Sequence, residues 1–142
     1  MNSRNSFTCI AVFTGLSLLN TAVCFASISI ELVSKDRAKE LGLNIRANAA
    51  GPDAVRIELE FEKKMLPRYS RVDLEIRDGG KLLSSSALRE ESSIPERVIV
   101  SFAADRAKLR QFTLRVVTGV GTRNMIGYDI QIHEFVDPEK LR

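Results

Sequence analysis

A chain of 142 residues with 21 basic and 18 acidic side chains carries a formal charge of only +3. It is long enough for one domain and too nearly balanced to argue for nucleic acid as a partner. It contains two cysteines, one histidine and no tryptophan, which excludes a disulfide-rich scaffold and leaves few residues for thiol or metal chemistry.

The first segment reads as an export signal. Arg4 supplies a positive start, Phe7 to Val23 is an apolar run, and Cys24-Phe25-Ala26 places small residues at the −3 and −1 positions of a cleavage site. Cleavage after Ala26 removes Cys9, Cys24 and Arg4. What remains is 116 residues of net charge +2, with no Cys available for a disulfide, a nucleophile or a zinc site. Two other readings of this segment are an uncleaved anchor and a lipidated Cys24. Asn20 and several hydroxyl residues weaken a membrane span. Thr21 and Val23 fit a lipid-attachment site poorly. With a short, conventional signal, and no Asn-x-Ser/Thr acceptor anywhere, the plainest address is the bacterial periplasm or exterior.

From Ile28 onward the chain alternates with period two. Ile28, Ile30 and Leu32 begin it, and Leu43, Ile45 and Ala47 continue it. Val55 to Glu62 is the clearest case, one face wholly apolar and the other wholly charged. Val72, Leu74 and Ile76, then Val98, Val100 and Phe102, Phe112, Leu114 and Val116, and Tyr128, Ile130 and Ile132 repeat the pattern. Such alternation predicts strands with one buried and one wet face, hence antiparallel sheets. Lys81 to Leu88 is a weaker strand, diluted by three serines. Asp78-Gly79-Gly80-Lys81 reads as a tight hairpin, since glycines supply the positive φ of primed turns. Ser34 to Leu41 and Asp105 to Arg110 are predicted short helical turns capped by Ser34 and Asp105.

Seven or eight short strands with frequent turn signals predict an all-β, antiparallel sandwich over residues 27–136, immunoglobulin-like or fibronectin-III-like in architecture and without a disulfide. A small closed barrel is the alternative. Residues 137–142 are expected to fray.

Chemistry is sparse. His133, expected on the polar face of the last strand, has no nucleophile-elbow context around it. Glu58, Glu60, Glu62, Asp73 and Glu75 share outward faces with Arg56, Arg71 and Arg77. They read as solvated, cross-strand charge pairs rather than as an acid–base pair. Gly119-Val120-Gly121 is followed by a strand from Tyr128 and not by a helix, so it is a hairpin loop and not a dinucleotide site. Met65, Met125 and His133 are the only soft or imidazole ligands after cleavage. An up-and-down strand count brings the two methionines to one end and leaves His133 roughly 17 Å away. No catalytic residue, resident metal or cofactor is assigned.

The same count gathers the loops 34–42, 63–70, 89–96 and 119–127. There Lys63, Lys64, Met65, Arg68 and Tyr69 mix cations with apolar side chains, and Arg123 and Met125 join them. That composition suits a protein-binding surface. The expected function is therefore an exported, non-enzymatic accessory module of the cell envelope, with a protein partner and no membrane-spanning segment in the mature form. The alternative is a periplasmic small-ligand or copper-binding protein using Met65 and Met125. Edge-strand pairing through the last strand or through Arg71 to Asp78 is a further route to a partner.

Overall fold

The computed structural model describes residues 28–121 and 123–141. The expected export signal, residues 1–26, lies outside them. Eight strands form two sheets. β1 (Ser29–Leu32), β8 (Arg123–Gln131), β7 (Phe112–Val120), β4 (Tyr69–Asp78) and β5 (Lys81–Ala87) lie side by side in that order. β2 (Asn44–Ala49), β3 (Ala54–Glu62) and β6 (Arg97–Asp105) form the second sheet. All pairings are antiparallel except that of β1 with β8. The fold is an antiparallel β-sandwich of immunoglobulin-like architecture. Two separate sheets with open edges rule out the closed barrel.

The alternation explains the core. On β3, Val55, Ile57 and Leu59 are wholly buried and Phe61 almost so, while Arg56 and Glu62 stay exposed. Val98 and Val100 of β6 join them from the same sheet, and Val72, Leu114, Val116 and Ile130 close the core from the other. Each fully buried aliphatic side chain of this size contributes about 1.5–3 kcal/mol of transfer free energy, which is what holds a domain without a disulfide.

Both capped turns form where expected. α1 (Lys35–Glu40) starts at Ser34, whose side chain accepts from the Arg37 amide at 3.2 Å. It runs from β1 to the start of β2 and buries Ala38. The 3₁₀ turn Arg106–Gln111 is capped by Asp105, which accepts from the Ala107 amide at 2.9 Å.

Several expectations change. β8 begins at Arg123 rather than at Tyr128. The β7–β8 turn stays short because Gly119 and Gly121 take positive φ, as does Asn124, and the register slips by a bulge between Thr118 and Val120. β8 ends at Gln131, so His133 is not on a strand but in a helical turn, α2 (Ile132–Phe135), turned inward by the wholly buried Ile132. The C-terminal residues expected to fray form a 3₁₀ turn, Pro138–Lys140, capped by Asp137, and Leu141 packs against the core. β4 and β8 are interior strands, each paired on both sides, so neither can take a partner strand. The free edges are β1 and β5 of one sheet and β2 and β6 of the other. Every residue of β5 is exposed, since the opposite three-stranded sheet does not extend over it.

Candidate functional site

The strand directions place the loops 63–68, 88–96 and 121–122, together with the end of the α1–β2 connection, at one end of the sandwich. Backbone hydrogen bonds tie them together. The Lys63 amide donates to the Glu96 carbonyl at 2.8 Å, and the Gly119 amide donates to the Arg68 carbonyl at 2.8 Å. Arg68 sits at φ 62°, the left-handed region, which swings the chain from Leu66 into β4.

Within this end, part of the segment folds back and part stays out. Leu66 is a core residue. Tyr69 is half-buried as the first residue of β4, its ring edge-on to Phe61 with centroids 5.2 Å apart. Burial, and then the hydrogen bond to Glu90, push its phenol well above the ordinary tyrosine value, so it stays protonated. Lys63 Nζ lies 5.7 Å from the Tyr69 ring centroid and 3.2 Å from Glu90. Lys64 pairs with Glu62 at 2.5 Å. Two of the three expected cations are thus neutralised locally, and the loop is less cationic than its composition implies.

Met65 packs over Gly42, its Cγ 3.1 Å from where a Cβ would stand, yet stays 41 % exposed. Ile94 is 49 % and Val120 73 % exposed. Three large apolar side chains, from two loops and from the last residue of β7, therefore face solvent at one end of the molecule. Neither Ile94 nor Val120 stood out in the sequence, because each is a single apolar residue among turn formers. Arg123 begins β8, opposite Val120 in the ladder. Met125 lies against Gly119 and beside Ile28 and Ser29. The two methionines share an end but pack on different neighbours, Gly42 and Gly119.

The outward charges of the larger sheet are not the solvated faces expected. Glu75 and Asp73 are buried. Arg115, unremarked in the sequence, is the hub: it reaches Glu75 at 2.5 Å and grips Asp129 with two bonds of 2.6 and 2.8 Å. Arg77 adds a 2.7 Å bond to Glu75, and Arg71 bonds Asp73 at 3.0 Å. Gly127 makes this possible, because a Cβ there would stand 3.0 Å from Arg115 Cδ. The bond to Asp129 raises the Arg115 pKa, outweighing the opposing effect of burial. The pairing is structural, each acid being held by an arginine. Among the described residues no group of three or more His, Cys, Asp or Glu side chains could hold a metal ion, and no helix is long and apolar enough to cross a membrane.

No family model matches the chain, and no curated protein matches it. Among solved structures it is similar to MHC-like MILL2, at 13 % identity and TM-score 0.39. That match covers 63 % of this chain and 32 % of the other, so the chain spans about a third of MILL2's length. It is similar also to the sulfur carrier protein SoxY from Chlorobium limicola f thiosulfatophilum, at 15 % identity and TM-score 0.39, over 85 % of this chain and 94 % of that one. Likeness at that level says nothing of what this chain does.

Proposed function

We propose that this protein is an exported accessory module of a bacterial cell envelope, acting by contact with a protein partner and not by catalysis. The N-terminal layout of Arg4, the apolar run and Ala26 supports export. The contact face is the loop end. The observation that carries it is the exposure of Met65 and Ile94 from two loops and of Val120 from the end of β7, on segments whose backbones are tied to their neighbours. Exposed apolar side chains on an ordered frame beside Arg68 and Lys64 match the composition of interface cores and lose little entropy on binding. Tyr69 and Lys63, fixed by Phe61 and Glu90, form the floor of the face rather than its tip.

The alternative of a copper or small-ligand site built on Met65 and Met125 is weaker. The two sulfurs have different packing partners, and His133 lies past the far end of β8, roughly 20 Å from Met125 at the usual strand rise. The test is affinity capture from the host's own envelope extract with the native protein and with a Met65→Glu/Ile94→Glu/Val120→Glu variant. All three positions are exposed, so the variant should fold. A partner held by the native protein and lost by the variant is the expected result. Equal capture by both would remove the loop end as the contact face.

A further inference from the structure

At the opposite end of the sandwich, the 3₁₀ turn Arg106–Gln111 and α2 enclose a cavity of about 220 Å³, lined among others by Arg106, Leu109, Arg110, His133 and Val136. Its frame is fixed by the core. Leu109, Ile132 and Val136 are buried, and the Arg106 amide donates to the Asp53 carbonyl at 2.8 Å. Past His133 it adjoins a wider groove of about 650 Å³ between Ile45 and Ala47 of β2 and the turn at Pro138.

Two buried side-chain atoms have no hydrogen-bond partner among the described residues, Arg106 Nε and His133 Nδ1, and both belong to residues lining this one cavity. An unpaired buried polar group carries a penalty that native folds rarely leave standing. The charges agree with the geometry. The lining holds two guanidinium groups and an imidazole and no carboxylate. No described carboxylate lies within ion-pairing distance of Arg106 or Arg110. The acids of the adjoining groove already have cationic or imidazole neighbours, Glu134 the outer nitrogen of His133 itself at 3.1 Å and Asp137 the Lys140 ammonium at 2.9 Å. His133 Nε2 lies 3.1 Å from Glu134, which leaves Nδ1 as the ring nitrogen that can serve the cavity, a donor when it carries a proton.

We propose that this cavity binds the oxyanion head of a small molecule, a carboxylate or a phosphate. Its oxygens accept from Arg106 Nε–H and from His133 Nδ1–H, and Arg110 adds positive charge. The adjoining groove takes the rest of the ligand. Charge-assisted hydrogen bonds are the strong ones, so both donors contribute directly to affinity. The site is independent of the loop face, at the other end of the strands, and either can fail alone.

The test is an NMR titration of ¹⁵N-labelled protein with inorganic phosphate and, separately, with acetate, chloride holding the ionic strength constant. The expected result is a saturable shift of the Arg106 Nε–H and His133 ring signals with at least one of the two. A response to phosphate marks a phosphate-headed ligand, and a response to acetate alone marks a carboxylate. Arg106→Gln should weaken binding about tenfold or more, the loss of one charged hydrogen bond. Should that variant fail to fold, Arg106→Lys keeps the charge and removes the Nε donor, and should weaken binding likewise. Lys39→Gln, on the exposed side of α1, should bind normally. No saturable shift with either anion, a response no larger than that to chloride, or undiminished binding by folded Arg106 variants would overturn the proposal.

Discussion

Arg115→Met removes the hub of the charged face on the larger sheet. In the native protein its guanidinium contacts Glu75 and Asp129, whose side chains are 3 % and 13 % exposed. Glu75 keeps Arg77 after the change. Asp129, which pairs with Arg115, is left largely shielded from water without a cation. Removing one partner of a buried pair costs about 3–5 kcal/mol, and the surviving Arg77–Glu75 bond argues for the lower end, about 3 kcal/mol. In a domain of this size that lowers the melting temperature by roughly 10 °C. The assay is urea unfolding followed by circular dichroism, with an unchanged slope showing that only stability moved. The loss should persist in high salt, because a buried pair is poorly screened, whereas any effect of breaking the exposed Lys64–Glu62 pair should vanish. Replacing the cluster as a whole, Arg115→Met with Glu75→Leu and Asp129→Leu, should recover most of the stability, since the one cation that then loses its acid, Arg77, is a third exposed and keeps its bond to the Gly80 carbonyl. A single-variant loss below about 0.5 kcal/mol, the size of an ordinary surface change, would refute the reasoning.

Gly119→Ala should cost about 3 kcal/mol, because its φ of 119° is disfavoured for a side chain and the new Cβ would lie 2.9 Å from the backbone of Asn124 and Met125. Amide exchange should also quicken at Gly119 as its bond to Arg68 loosens. The Asp137 carboxyl, held below the ordinary aspartate value first by Lys140 and then by the Glu139 amide, should titrate low by NMR, and Lys140→Ala should raise its midpoint. Because the folded value is the depressed one, this group's stabilisation is complete above the unfolded aspartate pKa. It fades as the pH falls through the folded value, so the Pro138–Lys140 turn should loosen only in acid. N-terminal sequencing of the protein recovered from its host should begin at Ser27. A sequence beginning at Met1, or a lipid on Cys24, would replace cleavage after Ala26 with one of its rivals.

The strands were legible because period two reports directly which face is buried. Val55 to Glu62 left no choice, and even the serine-diluted β5 was readable from its flanking turn. The caps at Ser34 and Asp105 were legible because capping needs a specific side chain at a specific place. Neighbour relations were not. Alternation assigns a face, not a sheet, so it could not show that β4 and β8 are interior or that Arg115 stands opposite Asp129, fourteen residues away. The burial of Glu75 goes with the reach of Arg115 from the neighbouring strand β7, a contact that only the register supplies. Of the loop end, the convergence of 63–70, 89–96 and 119–127 was readable from strand direction, but 34–42 was misplaced, because β1 runs parallel to β8 and the segment begins at the His133 end, only Gly42 reaching Met65. The local pairing of Lys63 and Lys64, and the exposure of Ile94 and Val120, required the packed loops. The cavity at Arg106 and His133 had no signal at all, since its two residues come from separate turns that alternation does not reach.

Amide hydrogen-exchange footprinting of the labelled protein in envelope extract, against buffer alone, tests the contact account most directly. The account predicts slowed exchange in the segments 63–69, 92–97 and 119–121, with the exposed β5 edge and the Arg106–Gln111 turn unchanged. Protection confined to β5 or to the His133 end, or no protection anywhere, would contradict it.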